Sequence, residues 1–400
     1  MFDFDTQIDR KAAFSTKWAG TGPTKPQELE SAAQGRGAQT VLPFWIADMD
    51  FLAPPFIQQA IADRLAHGIH GYTDTPPQLS PLLGEWFGKH CNYQPAAEAM
   101  RWLPGVVPAL NLAALACASP GGHIAIPTPV YYPFLNVPSN ARQGALPMPL
   151  VLDRGRWVMD FDRMAEIADA QGIKGQIGSL LLSNPQNPTG RVYDRAELTQ
   201  LAEFCLARDI TIISDEIHSP LIIDPRCTHQ SIAGLADEVD KQCITLHAAT
   251  KAYNVAGLNA AVAIIANPTL RQRFDDVERG LVSGISPFAY AVTEAAYADT
   301  SNYLAELRTY LANNHTDLYK AVNAVTDTHM TPVEATYLGW IDIRALSISQ
   351  PAKHLQQHGL RLNLGAQFGA PGFIRFNFAA PKAIVGEGIR RLTQALHAAS

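Results

Sequence analysis

The sequence lacks any run of the roughly 18 apolar residues that a helix needs to span a bilayer. Its first residues, "MFDFDTQIDRKAAFSTKW", carry no basic segment leading into an apolar stretch. Neither a membrane span nor a secretory leader is therefore expected, and a cytoplasmic protein is. Cysteine is scarce: Cys91, Cys117, Cys205, Cys227 and Cys243 are scattered without CxxC spacing. The odd count argues against a disulfide framework, so free thiols and no metal site are expected. Basic charge is short as well, with 31 Lys and Arg against 37 Asp and Glu and a net charge of −6. Without a basic stripe to track a phosphate backbone, nucleic acid is not an expected partner. Internal repeats and low-complexity tracts are missing too. What is there is ordinary globular composition, 47% hydrophobic and 17% charged over 400 residues, long enough for two or more domains.

From about residue 100, short apolar runs alternate with helical patterns, the signature of a parallel sheet covered by helices. "SLLLS" (179–183) reads as a buried strand followed by the turn-rich "NPQNPTG" (184–190). Asp194 and Glu197 then have capping-box spacing, and Leu198, Leu201, Ala202 and Cys205 recur on one helical face. The next strand, "ITIIS" (210–214), runs into "DEIH". Open parallel sheets bind ligands beyond the carboxyl ends of their strands, so these two turns are expected to be neighbours. A helical stretch over 288–325, then "ATYLGWIDIR", another helix and "GFIRFNFA" read as a second, smaller α/β unit. Alternation along its last strand puts Phe373, Arg375 and Asn377 on one face and Ile374, Phe376 and Phe378 on the other. The polar stretch 19–39 reads as a mobile loop, and ordered structure is expected to begin near Leu42.

Several residues carry chemistry. Lys251, among alanines after the strand "CITLH" (243–247), is an amine that can lose its charge and condense with an aldehyde; the plain alternative is a lysine reaching solvent from a loop. Asp215 can meet a ring nitrogen or cap a helix. Asn187 can aim its amide at a ligand or only shape its Asn-Pro turn, and His218 can face a ligand or be a satisfied core residue. The turn in "LPGVVPALNLAAL" (103–115) leads into a helix whose first amides point at an anion. An unpaired Arg375 among apolar neighbours is costly, so either a substrate carboxylate or a structural acid must meet it.

In order, "PFWIADMDF" (43–51), "TPVYYPF" (128–134), "NPQNPTG", "SDEIH" (214–218), "ATKAYN" (249–254) and "FIRFN" (373–377) resemble the pyridoxal-phosphate enzymes of aminotransferase fold type I. The resemblance covers nearly the whole chain and is greatest to the cystathionine β-lyase or cysteine-S-conjugate β-lyase branch of the class I/II aminotransferases. It implies a large domain with a mainly parallel seven-stranded sheet flanked by helices, plus a smaller α/β C-terminal domain. The implied divisions are 1–45 (arm and part of the small domain), 46–287 (cofactor-binding domain) and 288–400 (small domain).

The resemblance also implies roles. Lys251 carries pyridoxal 5′-phosphate, Asp215 meets its pyridine nitrogen, and His218 and Asn187 face its phenolic oxygen. Tyr131 stacks on the ring, with Tyr132 one residue away as the alternative. Val107 and Ala109 donate N–H groups to the phosphate, since Pro108 has none. Thr250 adds a hydroxyl, and Tyr72 of "HGYTD" reaches the phosphate from a neighbouring subunit, which makes the active unit a homodimer. Arg375 takes the carboxylate of an amino-acid substrate. Two positions depart from many relatives: Asn259 stands where an arginine pairs the phosphate, and Ala248 where a serine is common, so the phosphate's cation is not named. The implied activity is α,β-elimination from cystathionine or other cysteine S-conjugates to pyruvate, ammonia and a thiol. Transamination of a small or apolar amino acid would use the same residues. Trp45, Asp48 and Asp50 of "PFWIADMDF" lean toward the lyase branch, and no second arginine stands out to recognise a dicarboxylate. A non-catalytic binding protein is the third reading, disfavoured by Lys251 and Asp215 together.

Overall fold

A computed structural model of the chain describes residues 2–10, 13–18 and 41–399. Its large sheet contains β1 (Met100–Leu103), β2 (His123–Thr128), β3 (Gly144–Asp153), β4 (Arg156–Met159), β5 (Ile177–Ser183), β6 (Thr211–Asp215), β7 (Cys243–His247) and β8 (Ala261–Ile264). Their order is β1-β8-β7-β6-β5-β2-β3-β4. The central pairs β3/β2, β2/β5, β5/β6 and β6/β7 are parallel. β5 to β7 are buried almost throughout, which is why they read as unbroken apolar runs rather than alternating ones. Seven strands were expected and eight are present. The extra strand, β4, turns back on the outer end of β3 through Arg154 and Gly155, both at positive φ, the backbone that a two-residue hairpin loop requires.

Helix α1 (Val106–Ala116) packs against β6, β7 and β8, and α2 (Arg195–Leu206) begins with the expected capping box of Asp194 and Glu197. In α2 the buried residues are Leu198, Leu201, Ala202, Phe204 and Cys205, the anticipated apolar face with one addition.

A second, antiparallel sheet is built from β9 (His329–Met330), β10 (Leu338–Asp342), β11 (Asn363–Leu364) and β12 (Phe373–Asn377), in the order β9-β10-β12-β11. Helices α3 (Tyr303–Asn323) and α4 (Lys382–His397) pack on each other beside it. Phe376 of β12 faces away from Arg375 as alternation predicts and stacks on Phe44, with ring centroids 4.2 Å apart.

Ordered structure begins well before Leu42, against expectation. Phe4 is buried against Phe51, Tyr303 and Tyr310, a contact that stabilises by about 2–3 kcal/mol. Lys17, 1% exposed, donates to Asp50 at 2.7 Å, and Arg10 pairs with both Asp48 and Asp50. Asp48 is thus an ion-pair partner of the N-terminal segment. The anticipated loop 19–39 lies outside the described residues. All five cysteines are free thiols, and among the described residues no helix is long and apolar enough to cross a membrane.

Candidate active site

Strands β5, β6 and β7 end side by side, with Ser183, Asp215 and Leu246 in register. The loops that follow them therefore converge, and "NPTG", "DEIH" and the Lys251 turn share one cavity of about 410 Å³. Asn187, Asp215, His218, Thr250, Lys251 and Tyr131 all line it.

Lys251 is half-buried and donates from Nζ to the Ala47 carbonyl at 2.7 Å. Burial pushes its ammonium down to about 8; Asp48 and Asp215 oppose that shift and Arg375 adds to it. At that value roughly a tenth of the lysine is free amine at pH 7, against well under a thousandth at its ordinary 10.5. The turn around it is tied to residues 49–51 by Asn254, in left-handed conformation, whose Nδ2 donates to the Met49 and Phe51 carbonyls and whose Oδ1 accepts from the Met49 N–H. From the other side Asn377 donates to the Asp48 carbonyl at 2.7 Å and to that of Ile46. Tyr337 also donates to the Ala47 carbonyl, at 3.0 Å. "PFWIADMDF" thus gives the cavity wall Ala47, whose carbonyl meets the lysine, while Asn254 and Asn377 hold the neighbouring carbonyls in place.

Asp215 accepts from the Ile217 N–H at 3.1 Å, a local turn and not the helix cap that was its alternative, and it faces the cavity. Burial pushes its carboxyl up to about 7, against the Ile217 N–H and Lys251. A carboxylate held this way favours a cation brought against it. His218 is buried with Nδ1 unpartnered, and burial, with Lys251 and Arg375, holds it down to about 3, so its imidazole is neutral.

Arg375 does not line the cavity; it lies behind it and reaches it through Asn187. Its Nη1 donates to Asn187 Oδ1 at 2.9 Å, and its Nη2 to the Trp45 carbonyl and Asn363 Oδ1, both at 2.8 Å. A guanidinium can only donate, so this contact fixes the Asn187 amide with its Nδ2 left for another acceptor. The alternative of a structural salt bridge is not met: among the described residues every partner of Arg375 is neutral and Nε has none. Burial lowers it to about 10, with Tyr131, Tyr132 and Tyr337 pulling the other way.

The tyrosine ambiguity resolves by position: Tyr131 lines the cavity, whereas Tyr132 is 42% exposed. At the other end, α1 begins at Val106 with Pro108 in its first turn. The N–H groups of Val106 and Val107 have no intrahelical acceptor and border the cavity. Ala109 does not fill its expected role. It is buried away from the cavity, and its N–H is already bonded to the Gly105 carbonyl at 3.1 Å. Val106 is the donor the sequence reading missed, because the helix starts one residue earlier than the Val-Pro pair implied. Asn259 lines the cavity beside Thr250, and apart from Lys251 no lysine or arginine does, so a phosphate there would meet a helix N-terminus and hydroxyl and amide donors. Tyr72 stands fully exposed between helices Pro55–Ala66 and Leu79–His90, away from the cavity of its own chain. Glu216, buried beside Asp215, is structural, accepting from Ser214, Ser231 and His229. Among the described residues no group of His, Cys, Asp and Glu could hold a metal ion.

A phosphorylated pyridine aldehyde matches this donor set group by group. The amine suits an aldehyde, the unpaired acid a ring nitrogen, Asn187 and neutral His218 a phenolic oxygen, and the amides of α1 a phosphate. The chain belongs to the class I and II aminotransferase family, whose profile matches residues 39–392, and pyridoxal 5′-phosphate is its cofactor.

Within the family it is 32% identical to cystathionine β-lyase PatB of Bacillus subtilis over 98% of this chain and all of PatB. Two solved structures extend the likeness over the full length. OvoB matches with a TM-score of 0.90 and 35% identity over 99% of each chain. Cystalysin from Treponema denticola, which contains pyridoxal 5′-phosphate, matches with a TM-score of 0.90 and 28% identity over the whole of both chains.

Proposed function

We propose that the protein is a C–S β-lyase that cleaves cystathionine or related cysteine S-conjugates to pyruvate, ammonia and a thiol. One observation carries the chemistry: a lysine amine held down to about 8 shares a cavity with a buried carboxyl held up to about 7. The likeness to PatB and the "PFWIADMDF" wall favour elimination over transamination.

Bound pyridoxal phosphate supplies an electron sink that makes the substrate's α-proton acidic. Arg375 holds the α-carboxylate, for which its present neutral acceptors are weaker partners. With the cofactor bound, Lys251 Nζ would be placed to take the α-proton as general base. Asp215 would keep a proton on the pyridine nitrogen through its negative charge. Asn187 Nδ2 and His218 would orient the phenolic edge, Tyr131 would cover the ring, and Val106, Val107 and Thr250 would hold the phosphate. Loss of the β-thiolate would complete the elimination, and water would hydrolyse the released enamine to pyruvate and ammonia. A transaminase would use the same residues but return the proton elsewhere.

In this proposal the enzyme works in the cytoplasm as a homodimer, Tyr72 of one subunit reaching the phosphate of the other. The support is that Tyr72, Ile69 and Leu65 are all exposed in one loop and adjoining helix end, an apolar surface that a second subunit would cover. Holoenzyme given cystathionine with no keto acid should release pyruvate continuously, and Lys251→Ala should release none. Pyruvate that appears only when a keto acid is supplied would make the protein an aminotransferase.

A further inference from the structure

The sequence reading found no second arginine, and the structure supplies one. Arg361 pairs in a short parallel ladder with Pro43. Two residues on from these partners, Asn363 accepts from Arg375 and Trp45 gives it a carbonyl. Side chains alternate along extended backbone, so Trp45, Arg361 and Asn363 lie on the Arg375 side, opposite Phe44, which packs on Phe376. The Arg361 guanidinium sits 3.8 Å from the centre of the Trp45 ring. The two arginines therefore flank one residue, Arg375 on its carbonyl and Arg361 on its indole.

Other partly covered arginines have partners: Arg101 holds Asp275, Arg208 holds Asp169 and Arg391 holds Glu387, while Arg271 and Arg308 donate to backbone carbonyls. Among the described residues the Arg361 guanidinium makes no hydrogen bond or ion pair, and its Nη1 is buried without a partner. Burial lowers its pKa with nothing to restore it. Stacking on Trp45 occupies one face of the guanidinium and leaves its edge, the part that meets a carboxylate with two parallel hydrogen bonds. Trp45 is itself held by a bond from Nε1 to the Lys17 carbonyl at 3.2 Å, so the platform stands without Arg361.

We propose that Arg361 binds a second carboxylate, carried at the far end of the sulfur substituent, so that the preferred substrates are cysteine conjugates with an acid at each end. This rests on the C–S lyase reading and narrows its substrate class. Arg375 takes the α-carboxylate and Arg361 on Trp45 takes the distal acid, with the thioether between them.

The test compares S-(2-carboxyethyl)-L-cysteine with its carboxamide, S-(2-carbamoylethyl)-L-cysteine, on wild type, Arg361→Gln and Arg361→Lys holoenzyme. Wild type should prefer the acid by about 30-fold in kcat/KM, carried by KM, the scale of one charge-assisted pair. Arg361→Gln should bring the preference to near unity, and Arg361→Lys, which keeps charge but not the planar fork, should restore part of it. Absence of a preference in wild type, its survival in Arg361→Gln, or an equal fall for both conjugates, as expected if Arg361 only props Trp45, would overturn the proposal. Pyruvate from neither conjugate would reject the lyase reading instead; the acid-to-amide ratio of dissociation constants, read by spectral titration, then decides the role of Arg361.

Discussion

Arg191 and Arg375 are equally buried, each 2% exposed, and keep opposite company. Arg191 leaves the "NPTG" turn and is fully engaged: Nη2 meets both oxygens of Glu197, Nη1 meets Glu334 at 2.6 Å, and Nε donates to the Trp157 carbonyl. Burial alone would lower its pKa, but Glu197 and Glu334 outweigh it and the group ends raised. Arg375 has only neutral acceptors and ends lowered. Two arginines in equal burial thus differ in company: one is latched by two acids, the other is held only by neutral acceptors. The latch also aligns the site, since Glu334 accepts the Val192 N–H and donates its own N–H to the Gly190 carbonyl.

The difference can be broken from the latch side. Glu334→Gln removes one of the two acids on Arg191 while Glu197 still pairs it, and stability should fall by about 1–3 kcal/mol. Urea unfolding measures this, and the surviving folded fraction should keep its KM. An unchanged midpoint would mean that the latch is no stronger than the neutral contacts of Arg375.

Asp215 sharpens the contrast as the acidic counterpart of Arg375, a buried charge awaiting a partner. Its folded value of about 7 lies above its ordinary 3.8. The protonated form thus contributes stability that is fully present below 3.8 and is lost as pH rises through about 7. Lys251 runs the other way: its cost is full below about 8 and is relieved as pH rises toward 10.5. Buried His218, held down to about 3, gains stability over much of the same range, so Asp215 is read as a difference: between about pH 4 and pH 7 the stability of cofactor-free wild type should fall relative to that of cofactor-free Asp215→Asn. Thermal unfolding of both apo proteins across the range provides the check; parallel slopes would show that Asp215 is already paired.

The smallest effect belongs to exposed pairs. Arg163 and Glu166 meet at 2.7 Å with both side chains more than half exposed. Arg163→Ala should cost less than about 0.5 kcal/mol, and a larger change in the urea midpoint would undercut the use of burial to rank these contacts.

Much of the site was legible because its signals are local. "CITLH" before Lys251, the turn in "NPQNPTG" and the Asp194–Glu197 capping box are decided by neighbours in sequence, and the structure has each in place. What escaped depends on distant partners or on backbone atoms. Lys17 and Asp50 are paired across a segment no local pattern crosses. The Ala47 carbonyl that receives Lys251 leaves no letter in the sequence. Ala109 stands one position past the free amides because the helix begins right after Gly105, a start that the Val-Pro pair does not signal. The hairpin that adds β4 was visible in Arg154-Gly155 and was missed for want of a strongly apolar strand after it.

The measurement that bears most directly on Arg375 compares a cysteine S-conjugate with the cysteamine conjugate that lacks its α-carboxylate. If Arg375 waits for that carboxylate, wild type should favour the amino acid by about 100-fold or more in binding. Arg375→Gln should lose most of that discrimination while its urea midpoint stays close to that of wild type. A variant that still discriminates, or that unfolds as readily as Glu334→Gln, would place Arg375 with Arg191 as a second structural latch.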